Sequence, residues 1–179
     1  DGDAGLTVPG VVQRIAVGIA RTGAAHGALL ALVEHERVGV DPRLGRLDVL
    51  VNNAARDDRH DWREVTPEFW DERMHTNLRH MFFAIQAVAP DMVEAGGGSI
   101  INMGSNSWFE AGGGFPSYAT AKAAVHGLTR TMARDLGRDR IRVNGLNIGW
   151  MNTPGEDAIQ KREHGAVDGW LDKAMAAQP

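Results

Sequence analysis

The sequence predicts an α/β protein built around a parallel sheet. Three short segments are predicted as strands: the apolar runs at 47–51 and 99–103, which lead into small polar residues or glycine, and residues 141–147, which carry Ile141, Val143 and Leu146. Runs of this kind are typical of buried parallel strands, and ligands bind at the carboxyl ends of such strands. Longer stretches with apolar residues at helical spacing separate the three segments, as an α/β fold requires.

The composition predicts one soluble globular domain over residues 1–179. The chain has 43% apolar residues and a formal net charge of -4, which suits a single domain with a real core. The absence of cysteine excludes disulfides and thiolate chemistry, and no basic cluster indicates nucleic-acid binding. No histidines stand at metal-ligand spacing, so no metal site is expected. Without an apolar run of ~20 residues or a signal peptide, we expect a cytoplasmic protein with no membrane contact.

The first 46 residues have the weakest pattern. A helix is predicted within residues 1–22, capped by Thr7 and with Pro9 in its first turn. Its apolar positions are Val11, Val12, Ile15 and Ile19. Residues 24–46 form an atypical insertion that glycines interrupt, and its apolar patch at 28–33 could be helix or strand.

Two long helices are predicted between the strands. Thr66 caps the first, which has Pro67 in its first turn and ends at the glycines 96–98. Its apolar stripe is expected to be Met74, Leu78, Met81, Phe82, Ile85 and Val88. Pro116 opens the second helix, whose core face is expected to be Val125, Leu128, Met132 and Leu136.

Three other segments carry weaker predictions. Residues 56–63 are expected to be an exposed charged loop, and residues 156–177 a mobile helical flap. Trp108, Phe109 and Phe115 alternate with glycines in the segment before the second helix. These rings could form the wall of a pocket, or they could anchor the loop.

Tyr118 and Lys122 are the first candidates for chemistry. They stand four residues apart in the second helix, so they lie on one helix face. A nearby cation favours the phenolate form of a tyrosine, which would allow Tyr118 to exchange a proton with an alcohol or carbonyl as a general acid or base. A surface lysine beside a half-buried tyrosine is the structural alternative.

The wider set of residues resembles the short-chain dehydrogenase/reductase family. The matching positions are the Asn52-Asn53-Ala54-Ala55 turn, Asn77, Ser105, Tyr118 and Lys122, which follow the family's order and are near its spacing. The resemblance implies a Rossmann-like, doubly wound parallel sheet. It begins only at about the family's third strand, so the sheet is expected to be incomplete at both ends.

The main departure from the family is the absence of its glycine-rich Thr-Gly-x-x-x-Gly-x-Gly turn from this sequence. In the family this turn brings backbone N–H groups to the cofactor pyrophosphate. The family's C-terminal strand is also absent. We therefore expect the chain to be either a fragment or the ordered part of a longer molecule.

The resemblance implies a role for each matching residue. Asn77, Ser105, Tyr118 and Lys122 would be catalytic: Tyr118 as the acid or base, Lys122 stabilising the phenolate, Ser105 bonding the substrate oxygen, and Asn77 holding a proton-relay water. The residues implied in cofactor binding are Leu6, Asn53, Ala54, Ala55, Tyr118, Lys122, Gly149, Met151 and Thr153. The residues implied in substrate binding are Ser105, Ser107, Trp108 and Tyr118.

The implied activity is NAD- or NADP-dependent hydride transfer between nicotinamide and a secondary alcohol or carbonyl. The stretch at 105–108 and the glycines after it are similar to those of sugar dehydrogenases in the family, which suggests a sugar or polyol. The family's helix contacts imply a homodimer or homotetramer. A non-catalytic remnant that serves only as an oligomerisation or binding module is the rival interpretation. A serine hydrolase using Ser105 would need a Gly-x-Ser-x-Gly elbow, which is absent.

Overall fold

The computed structural model describes residues 16–20, 29–30, 33–34, 37–38, 47–111, 113–149, 151 and 153–176. The chain divides into two compact units, Asp1–Asn147 and Ile148–Pro179. The expectation of a single domain over the whole chain stays a prediction.

The first unit contains all the strands described. They are β1 (Ala16–Ala20), β2 (Leu29–Leu30), β3 (Val33–Glu34), β4 (Arg37–Val38), β5 (Val49–Asn52), β6 (Gly98–Met103) and β7 (Ile141–Leu146). Its helices are α1 (Pro67–Met74), α2 (His80–Glu94) and α3 (Pro116–Leu136), with a π-helical turn at His75–Arg79 and 3-10 turns at Asn106–Trp108 and Gly137–Asp139. The second unit contains α4 (Pro154–His164) and α5 (Trp170–Ala176).

The three strands predicted from the sequence are parallel neighbours. The sheet order is β2-β1-β5-β6-β7, with Leu50 opposite Ile100 and Ile100 opposite Val143. This confirms the α/β class and the parallel pairing. The carboxyl ends of β5, β6 and β7 therefore meet at one edge of the sheet.

The predicted helix at residues 1–22 is wrong where the structure describes it. Residues 16–20 form β1, which pairs antiparallel with β5 over four positions and with β2. The β-branched residues Val17 and Ile19 suit a strand as well as a helix face. Pairing with β1 satisfies the backbone groups on the free edge of β5. The rest of this prediction lies outside the described residues.

Within the insertion at residues 24–46, the described pairs are strands rather than helix. β2 extends the main sheet, whereas β3 and β4 pair antiparallel with each other. The alternative of a helix over the apolar patch at 28–33 is thus wrong for Leu29–Leu30 and for Val33.

The core lies between the sheet and the helices α2 and α3. Its buried members are Leu47, Leu50, Ala84, Ile85, Val88, Met92, Ile100, Ile141 and Val143, with Met132, Ala133 and Leu136 of α3 packed against them. Gly98 shows how close this packing is. A Cβ at that position would come within 2.5 Å of the Met92 sulfur.

The helix boundaries follow the predicted caps. The Thr66 hydroxyl accepts a hydrogen bond from the Phe69 N–H at 3.2 Å, and α1 begins at Pro67. After α2, Gly96 and Gly97 have φ of 83° and 141°, which glycine adopts at little steric cost. The Gly97 N–H then closes the helix end on the Met92 carbonyl at 2.9 Å.

The predicted apolar stripe fails at Phe82, whose side chain is exposed. The π-helical turn at His75–Arg79 precedes α2, and a π turn holds more residues than an α turn. The predicted positions after the turn, Met81, Ile85 and Val88, are nevertheless buried, and Phe82 lies at the edge of this stripe, one residue from Met81. His80 and Ala84 face the interior along with Met81 and Ile85.

A buried chain of polar groups joins two strand ends to α3. The Asn52 side-chain amide donates to the Asn102 Oδ1 at 2.7 Å, and the Asn102 amide donates to the Thr129 hydroxyl at 3.0 Å. That hydroxyl donates to the Val125 carbonyl at 2.7 Å. Because water cannot replace these bonds, each link matters more than a surface hydrogen bond.

Replacing Asn102 with leucine should lower the free energy of unfolding by about 2–4 kcal/mol, because the buried Asn52 amide and Thr129 hydroxyl both lose a partner. Urea titration followed by circular dichroism measures this. Asn144→Ala is the matched control, since Asn144 lies exposed on the neighbouring strand. Equal losses of unfolding free energy in the two variants would show that these buried hydrogen bonds contribute no more to stability than an exposed side chain does.

Candidate active site

Lys122 and Tyr118 lie side by side near the start of α3. The Lys122 ammonium is 5.6 Å from the centre of the Tyr118 ring, as the four-residue spacing predicts. The Lys122 side chain is only 2% exposed, and its Nζ donates a hydrogen bond to the Met103 carbonyl at 2.7 Å. Tyr118 is half-buried. The helix is thus tied through Lys122 to the carboxyl end of β6.

Burial changes the proton affinity of this lysine. Desolvation lowers the Lys122 pKa to about 8, and the negative charge of Asp57 opposes the shift. The amine stays mostly protonated at neutral pH but releases its proton far more readily than an exposed lysine does. A positive charge is therefore held near the Tyr118 ring.

Ser105 lies just beyond the end of β6 and is nearly buried. Its hydroxyl oxygen accepts a hydrogen bond from the Ser107 N–H at 3.2 Å and so starts the short turn at Asn106–Trp108. The residue before it, Gly104, donates to the Leu146 carbonyl at 2.7 Å. A Cβ on Gly104 would lie 2.1 Å from the Asn147 Oδ1, so the close approach of these strand ends requires glycine.

Asn77 lies in the π-helical turn and is fully buried. Its Oδ1 accepts a hydrogen bond from the Arg56 N–H at 2.8 Å, while its Nδ2 has no partner in the described part of the chain. π turns inside α-helices are frequent at functional sites. The turn and the loop after β5 together fix where this amide points.

The residues after β5 present both open and packed positions. Asn53 and Ala55 are exposed, whereas Ala54 packs against the core. Small side chains at the end of a parallel strand allow a ligand to approach the backbone closely. This arrangement agrees with the predicted position of Asn53 at a cofactor, although its role stays a prediction.

The aromatic residues before α3 differ in burial, so they do not all have the same role. Phe115 is buried and Phe109 is exposed, so Phe115 anchors the loop and Phe109 does not. The Trp108 ring lies 5.8 Å from the His126 ring. The Ser107 hydroxyl and the Trp108 Nε1 are buried without a hydrogen-bond partner among the described atoms.

The remaining predicted cofactor residues divide between the second unit and the undescribed start of the chain. Gly149 and Met151 are exposed, and the Thr153 hydroxyl accepts a bond from the Glu156 N–H at 3.1 Å as the cap of α4. The expected helical flap consists of α4 and α5, joined by a 2.8 Å bond from the Trp170 Nε1 to Asp157. Its mobility stays a prediction. Leu6 lies outside the described residues.

The expectation of an exposed loop at residues 56–63 is wrong for its middle part. Residues 57–60 are half-buried because the loop packs against α1 and α3. Asp58 forms an ion pair with the buried Arg73 of α1, and the Arg59 guanidinium lies 4.0 Å from the centre of the Phe115 ring. The sequence shows only a run of charges here, and such a run does not reveal its partners.

The sequence pattern also gave no indication of a serine–histidine pair in this region. The His60 Nε2 lies 3.1 Å from the hydroxyl oxygen of Ser117, the residue before Tyr118. The two residues are 57 positions apart, so no local pattern could have indicated the contact. Ser117 is fully buried.

His80 is a buried histidine with no hydrogen-bond partner on either ring nitrogen within the described residues. Desolvation lowers its pKa to about 4, the positive charge of Lys122 adds to the shift, and backbone groups at His75 and Thr76 oppose it. His80 is therefore neutral near neutral pH. No group of metal-binding side chains occurs in the parts of the chain that the structure describes, and no helix there is long and apolar enough to cross a bilayer.

Comparison with known proteins identifies the family. The family model for short chain dehydrogenases matches residues 24–164. The chain belongs to that family. It is 52% identical over 110 residues to a D-xylose 1-dehydrogenase of Caulobacter vibrioides, covering 62% of this chain and 44% of the relative. It is 38% identical over 138 residues to a gluconate 5-dehydrogenase of Gluconobacter oxydans, covering 77% and 53%.

A solved structure agrees with this assignment. The crystal structure of a gluconate 5-dehydrogenase from Burkholderia cenocepacia in complex with NADP and tartrate matches with a TM-score of 0.63 and 34% identity, over 74% of this chain and 50% of that one. The chain spans about half the length of the curated relatives it matches.

We expect the free energy of unfolding to decrease as the pH falls, because His80 has a lowered pKa in the folded chain. Its pKa is lower in the folded chain, about 4 against 6.5, so between these values the unfolded chain binds more protons and stability decreases as pH falls. The full difference is about 3 kcal/mol. Urea titrations from pH 7 to 4 should show a smaller decrease for His80→Leu than for the wild type. The control is His75→Leu, at an exposed site. The assignment fails if the His80 variant keeps the wild-type slope.

Proposed function

We propose that the chain is the catalytic portion of an NAD(P)-dependent oxidoreductase that interconverts a secondary alcohol and a carbonyl. One observation carries the proposal: a buried ammonium, that of Lys122, is held at the end of β6 beside the Tyr118 ring. Family membership supports it, because the named relatives are dehydrogenases.

The residues present suit the nicotinamide half of a dinucleotide. Asn53 and Ala55 are open at the end of β5, and the buried Asn77 Nδ2 lacks a partner within the described chain. Lys122 would hold the ribose next to the nicotinamide. Nicotinamide, when bound, supplies or accepts the hydride. The choice between NAD and NADP stays open, as does the partner of the pyrophosphate.

The chain's own residues would handle the substrate proton. Tyr118 takes the hydroxyl proton during oxidation and returns it during reduction. Lys122 favours the phenolate by its charge, and its pKa of about 8 allows it to pass a proton on. Ser105 would bond the substrate oxygen, and Asn77 would hold the water that connects the lysine to solvent.

The substrate class is proposed to be a sugar or a polyol. Relatives named for xylose and gluconate support it. Ser107 and Trp108 are proposed to line the substrate position, where the flat face of the Trp108 indole would suit the apolar face of a sugar ring. Self-association and a cytoplasmic location remain proposals of the same kind.

Nucleotide binding separates this proposal from the rival interpretation of a non-catalytic module. Titration of the chain with NAD and with NADP, followed by calorimetry, should give saturable binding of one of them. Lys122→Met should weaken that binding, because the ammonium is lost with little change in side-chain volume. Lys173→Met, at an exposed position on α5, is the control. Failure of both nucleotides to give saturable binding would contradict the proposal.

Replacing Tyr118 with phenylalanine should lower kcat by at least ~10²–10⁴, the range for loss of a general acid or base. Cofactor affinity should change little, because the ring remains. Steady-state kinetics with sugar and polyol substrates measure the first quantity and calorimetry the second. Near-normal turnover of this variant would refute the assignment of Tyr118.

A further inference from the structure

We infer that His60 is a positioning residue that holds the start of α3, and with it Tyr118, in the geometry that proton transfer requires. This inference rests on the proposed function and names a residue outside the predicted site. The His60 ring lies between two polar atoms. Its Nδ1 is 2.8 Å from the Asp58 carbonyl oxygen, and its Nε2 is 3.1 Å from the Ser117 hydroxyl oxygen.

The Asp58 carbonyl determines which form of the imidazole is present. A carbonyl oxygen only accepts, so the Nδ1 of His60 must carry the hydrogen of that 2.8 Å bond. In the neutral ring the Nε2 then has a free lone pair and accepts the hydrogen of the Ser117 hydroxyl. The backbone N–H of Ser117 also points to the Nε2, at 3.5 Å. His60 thus receives two donors from the residue before Tyr118.

These bonds replace a missing helix cap. The first N–H groups of a helix have no partner within the helix, and a side chain at the preceding residue usually accepts from one of them. Here Phe115 precedes α3 and makes no side-chain bond. His60 supplies an acceptor to the first turn from a loop that is distant in sequence.

The backbone of His60 and the side chain of Arg59 contact the two residues just before α3. The His60 N–H donates to the Gly114 carbonyl at 2.8 Å, and the Arg59 guanidinium lies over the Phe115 ring. Phe115 in turn meets the Tyr118 ring edge to face, with ring centres 5.8 Å apart. Two successive loop residues therefore contact both the backbone before α3 and the ring that touches Tyr118.

The loop is itself anchored near Asn77. Asp58 forms ion pairs with Arg73 and with Arg56, and the Arg56 N–H donates to the Asn77 Oδ1. His60 therefore connects the turn that carries Asn77 with the helix that carries Tyr118. Full burial of Ser117 keeps a substrate away from its hydroxyl, so the His60–Ser117 pair positions the helix and does no nucleophilic chemistry.

The test compares His60→Ala, Ser117→Ala, the double variant and His60→Gln in the whole chain. The control is Arg63→Ala, because Arg63 lies in the same loop but is exposed and pairs with Asp61. His60→Ala and Ser117→Ala should each lower kcat by about tenfold, since small displacements of catalytic groups are costly. KM for the nucleotide should stay within about twofold, because the cofactor contacts are unchanged.

The double variant should be no slower than either single variant, because each single substitution already removes the same His60–Ser117 interaction. His60→Gln should recover most of kcat, since a carboxamide also offers one donor and one acceptor. A readout that needs no turnover uses ring-fluorinated tyrosine. The chain has one tyrosine, so a single probe residue reports on Tyr118. Its fluorine signal should shift or broaden in both alanine variants, and should return in His60→Gln.

The outcomes separate this inference from the function on which it rests. If the wild type neither turns over nor binds nucleotide, the proposed function fails, and the fluorine signal still tests His60. If kcat and the fluorine signal of His60→Ala match those of Arg63→Ala, His60 has no positioning role, even if the melting temperature falls. Additive losses in the double variant would also overturn the inference.

Discussion

The hydrogen bond from the Lys122 ammonium to the Met103 carbonyl is the constraint on which the site depends. Burying a charge is costly unless the charge has a partner, and a carbonyl at the end of β6 provides one at 2.7 Å. The bond holds α3 against the strand that leads to Ser105. It also places Tyr118, one turn earlier, at the same sheet edge. The same burial lowers the pKa of Lys122 to about 8. The packing of this side chain therefore sets both the position and the proton affinity of the amine.

The polar groups of the first unit concentrate where the parallel strands end. Asn52, the last residue of β5, and Asn102, the last but one of β6, form a buried amide pair, and Ser105 follows β6. Neighbouring parallel strands point the same way, so their last residues come together although they are far apart in sequence. The buried amides tie the strand ends to α3 and give the exposed residues after β5 a rigid support. Rigid support is what a site needs when it must hold reacting groups within a fraction of an ångström.

Irregular segments place two of the proposed catalytic residues, Asn77 and Tyr118. Asn77 lies in a π-helical turn rather than in regular helix, and the start of α3 is held by the loop at residues 56–60. Neither feature follows from residue periodicity. After the π turn the predicted stripe continues through Met81, Ile85 and Val88, which are buried, and only Phe82, next to Met81 on the helix, is exposed. In the loop, charged residues that would be solvated on their own find partners on α1 and α3, so Asp58 and His60 become part of the structural framework.

The sequence alone determined what depends on near neighbours. The helix starts at Pro67 and Pro116, the glycine stop after α2, the positions of the three strands β5, β6 and β7 and the contact between Tyr118 and Lys122 all follow from spacing and caps within a few residues. Only the tertiary structure decided what depends on distant partners. Residues 16–20 became a strand because β5 offered an edge, and His60 met Ser117 across 57 positions. A local pattern fixes torsion angles and the faces of an element, whereas the partner of each face is chosen when the elements pack.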